Sequence, residues 1–205
     1  MPSNNTIKED IIQEQILQAA QQLFQKHGLH KVTMDDVAKA IGKGRSSLYY
    51  YYKSKDEIFD AVIDVEIRDI TAALTSAMHE AATIEQKIHS FCTARIKIAR
   101  KKKAFFEALE TGMNADEITQ YAQKKLAINK RMMKEETSLL RQVISQGIKK
   151  GELPGCGPKE LESVIFVLLS SLRGLKREMM LENDYSRVEA AIDTLTRMTM
   201  QVLGS

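Results

Sequence analysis

Between Lys39 and Lys55 the chain carries five cations, Lys39, Lys43, Arg45, Lys53 and Lys55, and no acid. Ser46, Ser47 and the tyrosines Tyr49 to Tyr52 are interleaved with them. Ammonium and guanidinium groups attract phosphate, and Ser and Tyr hydroxyls can hydrogen-bond a phosphate or a base edge. The whole chain has a net charge of only +3, so these five cations sit on a remainder that is slightly acidic. The same stretch also reads as a solvated basic turn packed by core tyrosines, and charge alone does not separate the two. Catalytic chemistry has less support. His27, His30, His79 and His89 lack zinc-protease spacing, Cys92 and Cys156 match no zinc or redox motif, and there is no glycine-rich phosphate loop. An enzyme is therefore not expected, and neither is a metal or a cofactor.

The elements that must position these residues are helices. Of 205 residues 43% are hydrophobic, and the three prolines, Pro2, Pro154 and Pro158, leave residues 3–153 without one. Sandwiches and barrels need many Gly- and Pro-bearing turns, so an all-β chain is excluded. Capping pairs recur at Thr6/Glu9, Ser54/Glu57, Thr83/Gln86, Ser186/Glu189 and, with Asn, at Asn114/Glu117. Each precedes an amphipathic run. The spacing predicts about nine helices, an all-α fold. One of them is expected to end in the run Arg100 to Lys103, and a short separate helix to hold Phe105 and Phe106. The longest apolar run, Val164 to Leu169, is far below the ~18–20 residues of a membrane helix. The N-terminus has no basic segment followed by an apolar one, so a cytoplasmic, reduced protein without a membrane is expected.

Three helices in the first fifty-odd residues, with Gly42 between the second and third, form the pattern of a helix-turn-helix. The matching string is Ile16-Leu17, Ala20, Leu23-Phe24, Gly28, Val32-Thr33, Val37-Ala38, Gly42, Leu48-Tyr49, Tyr51 to Lys55 and Ile58-Phe59. On these residues the chain resembles the TetR family of transcriptional regulators. The resemblance implies a helix-turn-helix DNA-binding domain over residues 1–53 and a larger helical ligand-binding and dimerisation domain over 54–205. It implies that the third helix enters the major groove, with Lys43, Gly44, Arg45, Ser46 and Ser47 at its start facing DNA. Thr33 and Lys55 match phosphate-contacting positions, Tyr49 and Tyr50 match positions at the DNA backbone, and Leu48 and Tyr52 match buried ones. Members commonly carry Val-Ser-Lys-Gly-Thr where this chain has Lys43 to Ser47, so a cation replaces an apolar residue. Arg45 is the expected guanine reader, because its fork matches O6 and N7; an Arg–phosphate contact is the other reading.

The rest of the chain supplies the regulatory parts in the same resemblance. Middle helices form a chamber for an unknown small-molecule effector, with Phe91, Phe105, Phe106, Leu109, Met113, Tyr121, Ile128 and Met132 as lining candidates. Plain core packing is the competing reading for each of them. The last two helices carry wide apolar stripes and small residues, which in the family pack as a four-helix bundle between subunits. Leu168, Ser171, Leu172, Leu175, Ile192, Leu195, Met198 and Val202 are the dimer-interface candidates. A homodimer suits a palindromic operator on double-stranded DNA. The expected function is a repressor released by an inducer. The alternatives are a transcriptional activator, or a helical small-molecule-binding or scaffold protein without sequence-specific DNA binding.

Overall fold

The computed structural model describes residues 4–204, with side chains from Glu9 onward. The described residues form eight helices and no strand: α1 (Asn4–His27), α2 (Met34–Ala40), α3 (Arg45–Tyr51), α4 (Lys55–His79), α5 (Ile84–Ala108), α6 (Ala115–Lys149), α7 (Pro158–Glu182) and α8 (Val188–Leu203). The fold is all-α, with an N-terminal helix-turn-helix followed by a larger helical part.

Local chemistry explains most of the helix starts. Thr33 caps α2 as a full capping box with Asp36, and the hydrogen bonds from Thr33 hold the Asp36 carboxyl below its ordinary value. Thr83 and Gln86 cap α5 in the same reciprocal way, as do Asn114 and Glu117 at α6. At α4 the amide of Glu57 donates to Ser54 Oγ, while the Glu57 carboxylate accepts from the Lys53 amide one residue earlier than the motif implies. The Thr6 cap lies outside the residues whose side chains are described.

Two expectations are corrected. There is no break at Arg100 to Lys103: α5 runs on to Ala108, so the described helices number eight rather than nine. Nothing in that run interrupts a helix, since Lys and Arg are good helix formers. Lys102 is also neutralised sideways, by an ion pair of 2.6 Å with the buried Glu66, rather than by a helix end. The Ser186 cap does not form either. α8 starts at Val188, and Asp184 instead accepts from the Ser186 amide, which lowers the Asp184 carboxyl.

The chain packs as two compact units. Unit one comprises Met1–Arg68 and Lys102–Ile128; unit two comprises Asp69–Lys101 and Asn129–Ser205. α4, α5 and α6 each contribute residues to both. The core of unit one gathers Ile16, Ala20 and Phe24 of α1, Val37 of α2, Leu48 of α3 and Ile58, Phe59, Val62 and Ile63 of α4, with Phe24 and Phe59 edge to face at 6.0 Å. The interior of unit two gathers Leu74 of α4, Ile88 and Phe91 of α5, Leu140 and Ile144 of α6, Ile165, Leu168, Leu169 and Leu172 of α7 and Ile192 of α8. Burying such side chains contributes roughly 1.5–3 kcal/mol each, and no helix of either unit could hold its apolar face alone.

Candidate functional site

α2 and α3 are each seven residues long and could not persist in isolation. Leu48, fully buried, pins α3 to the core of unit one, and Val37 and Ala38 do the same for α2. The turn between them depends on Gly42. Its φ is +65°, the left-handed region that glycine enters without strain, and there the Lys43 amide can donate back to Ala38 O at 3.0 Å. α3 then starts at Gly44, whose extended backbone offers no side-chain cap.

The outer surface of this motif is cationic and aromatic. Lys39, Lys43 and Lys53 are exposed, as are Gly44 and Ser46, and Ser47 is half-buried. Arg45 is exposed but held. Its Nε lies 3.2 Å from Asp35 Oδ1, its Nη2 donates to the Tyr49 hydroxyl at 3.3 Å, and the guanidinium stands 5.5 Å over the Tyr49 ring. Both partners favour the charged form and raise its pKa further. Lys53 Nζ donates to Tyr49 O at 2.7 Å, which closes the last turn of α3. Tyr50 is 67% exposed, stacks edge-on against Tyr51 at 5.0 Å and donates to Glu9 Oε1 at 3.5 Å. Tyr52 is half-buried, and burial raises its phenol pKa.

Thr33 and Lys55 are engaged within unit one. The Thr33 hydroxyl donates to Asp36 Oδ2 at 2.7 Å. Lys55 Nζ donates to Leu29 O at 2.9 Å and His30 O at 3.0 Å, and burial lowers its pKa. These bonds fix the loop that precedes α2. The same loop is packed so closely at Gly28 that an added Cβ would meet Thr111 O at 2.4 Å; the Leu29 amide donates to Leu109 O, and His30 Nδ1 sits 2.7 Å from Glu117.

The eight chamber candidates are divided by the packing. Phe105, Phe106, Leu109, Met113, Tyr121 and Ile128 belong to unit one; Phe91 and Met132 belong to unit two. All are buried except Phe106 and Met113, which are half-buried. Burial also raises the Tyr121 phenol. A cavity of about 320 Å³ in unit one is lined by other residues, among them Glu14, Leu17, Gln21, Val62 and Arg68.

Of the dimer candidates, Leu168, Leu172, Ile192 and Leu195 are buried within unit two itself. Ser171 and Leu175 are half-buried, whereas Met198 and Val202 are 58% and 48% exposed. The apolar residues that α7 leaves in solvent are Phe166, Val167 and Leu181, which sequence reasoning missed. Phe166, Ser170, Gly174, Arg177 and Leu181 recur every three or four residues and so share one face of α7. No atom lies within 4 Å of a Cβ placed at Gly174. The outward side of that stripe was legible as excess width, but a stripe does not say which of its edges the chain itself covers.

Among known proteins, residues 16–62 match the family model described as bacterial regulatory proteins, tetR family. The chain is 27% identical over 159 residues to the HTH-type transcriptional regulator YhgD of Bacillus subtilis, covering 75% of this chain and 76% of the relative. Two solved structures share the fold. One is the fatty acid degradation regulator FadR of Bacillus halodurans (TM-score 0.61, 20% identity, covering 92% of this chain and 94% of that one). The other is the transcriptional regulator FadR of Bacillus subtilis in complex with stearoyl-CoA (TM-score 0.62, 14% identity, covering 92% and 98%).

Proposed function

We propose that this chain, whose residues 16–62 match the tetR family model and which is 27% identical to the regulator YhgD, is a repressor that grips a palindromic operator as a homodimer and releases it when a small-molecule inducer binds. The observation that carries this reading is the outer surface of α2 and α3, cationic and held in place by Gly42, Leu48 and the Lys55 clamp. Residues 1–53 read DNA, and residues 54–205 bind the ligand and dimerise. Arg45 is the base reader. Asp35 and Tyr49 hold its fork before DNA arrives, which reduces the side-chain entropy lost on binding. Lys43, Ser46, Ser47, Tyr49 and Tyr50 supply phosphate contacts around it. Thr33 and Lys55 act as positioning residues through the bonds they already make.

The dimer forms on the outer stripe of α7, from Phe166 and Val167 past Ser170 and Gly174 to Leu181, together with Met198 and Val202 of α8. Exposed apolar side chains flanking small residues suit the close approach of a second helix pair. A two-fold dimer then presents two copies of α3 to two half-sites. Inducer and DNA oppose each other by linkage: a ligand that prefers the conformation with misplaced reading heads weakens DNA binding by its differential affinity. The FadR neighbour, solved with stearoyl-CoA, makes molecules with long apolar chains the first class to screen.

The test is selection of bound sequences from random duplexes, followed by light scattering of free protein and complex. A recovered palindrome bound by two chains is the expected result. Absence of any sequence preference, or a monomer at micromolar concentration, refutes the proposal.

A further inference from the structure

Unit two contains a cluster of charge that the reading above does not use. Glu136 on α6 is 2% exposed and accepts from Arg95 Nε of α5, whose side chain is 12% exposed. Arg173 and Lys176, both half-buried, lie one turn apart on α7, and Arg173 reaches Met133 of α6, one turn from Glu136. Lys176 feels Arg95, Glu136 and Arg173 together, and burial with the two arginines brings its pKa down to about 8. Three cations, of which Arg173 and Lys176 are half-buried, therefore stand near one buried carboxylate. Buried charge of one sign without a counter-charge is costly, and a fold ordinarily relieves it with a partner.

The donors of Arg173 are poorly occupied. Its Nε donates to Leu169 O of its own helix at 3.2 Å, and its Nη2 reaches only the thioether of Met133 at 3.0 Å. A thioether is a weak acceptor that an anion would displace. The neighbours along the helices are apolar. Phe91, fully buried, lies one turn before Arg95, and Met132 and Met133 lie one turn before Glu136. Methionine adapts its shape to a ligand, so the place combines clustered positive charge with a yielding apolar wall.

We infer that Arg95, Arg173 and Lys176, arranged around Glu136 beside Phe91, Met132 and Met133, bind the anionic head of an amphipathic small molecule. The inference rests on the ligand-responsive reading above and deepens it: the effector is an acid or phosphate ester with an apolar body. Glu136 fixes the Arg95 fork, Arg173 and Lys176 pair with the incoming anion, and the methionines and Phe91 meet its tail.

Calorimetry on the full chain at pH 7 tests this with four probes: decanoate, decyl phosphate, decan-1-ol and inorganic phosphate. Decanoate or decyl phosphate is expected to bind once per chain, at least tenfold tighter than decan-1-ol or inorganic phosphate. Lys176→Met and Arg173→Gln are each expected to weaken that binding at least tenfold while leaving decan-1-ol binding and duplex-DNA binding of the free protein unchanged. Lys176→Met removes a buried charge, so it is expected to fold even if Arg173→Gln does not. Failure of both charged amphiphiles to bind overturns the inference. So does equal affinity for decan-1-ol, equal affinity for inorganic phosphate, or a Lys176→Met protein that binds as wild type does. Loss of sequence-selected DNA binding by the free protein would instead refute the regulatory reading, so the two failures are distinguishable.

Discussion

The basic residues around α3 and those inside unit two are the same amino acids under opposite conditions. Around α3 Lys39, Lys43, Arg45 and Lys53 face solvent, and Arg45 is held only by the surface groups of Asp35 and Tyr49. Inside unit two Arg95 pairs with the buried Glu136, and the half-buried Lys176 feels both arginines and that carboxylate. Exposed cations cost the fold little and contribute little to it, because water and salt screen them. They remain available to a polyanion, whose bound counterions they release. Buried cations are screened far less, so each partner gained or lost changes stability directly. Exposure, rather than residue type, decides whether a lysine or arginine is a contact for DNA or a demand on the core.

The comparison can be broken most forcefully at Glu136. Glu136→Ala leaves Arg95, Arg173 and Lys176 without their carboxylate and is expected to lower stability by about 3–5 kcal/mol in urea unfolding at pH 7. Asp35→Ala, which removes the exposed partner of Arg45, is expected to change stability by no more than about 1 kcal/mol. Equal losses at the two sites would end the contrast. On the DNA side, Arg45→Ala is expected to cost about 1–3 kcal/mol on the selected operator and to relax preference at one base pair, read by mobility-shift titration against operator variants.

Acidity sharpens the comparison further. Lys176 titrates near 8 in the fold against an ordinary 10.5, so the folded chain releases this proton first as pH rises. Above pH 8 the unfolded state then binds more protons, and wild type gains stability from this group. Lys176→Met lacks that gain. Its stability advantage over wild type at pH 7 is expected to shrink by pH 9, and an unchanged gap would show that Lys176 is not held in a cationic interior. Cys92, pushed up to about 12 by burial, acts in the opposite sense as the unfolded thiol ionises, and it cancels in the difference between the two proteins.

The smallest effects separate two lysines of unit one. Lys43→Ala is expected to weaken binding to all sequences and to reduce the salt slope by about one unit. Lys55→Ala is expected to leave the slope unchanged and to lower stability, because its ammonium already serves Leu29 O and His30 O. A reduced slope for Lys55→Ala would return it to the phosphate contacts.

Much of the helical frame was legible because its signals are local. The boxes at Thr83 and Asn114, and Gly42 at the turn, are bonds within a few residues, and chain order alone sets them up. Reading failed where a remote partner decided. Lys102 lies inside α5 rather than at its end, and it is neutralised by Glu66, far away in sequence. Asp184 took the amide that a Ser186 box would have left to Glu189. The cations proposed to face DNA form an acid-free run at fixed spacing in the sequence, whereas Arg95, Glu136, Arg173 and Lys176 lie on three helices with no common period.

By itself, then, the sequence determined an all-helical chain, its helix-turn-helix and the place where cations gather without acids. Those properties follow from periodicity, caps and charge counts, which neighbouring residues set among themselves. Tertiary structure decided which charges are exposed and which share a carboxylate, and which leucines of α7 and α8 are core rather than surface. Burial and pairing are properties of helices meeting, and they arise only when distant segments exclude water from between them.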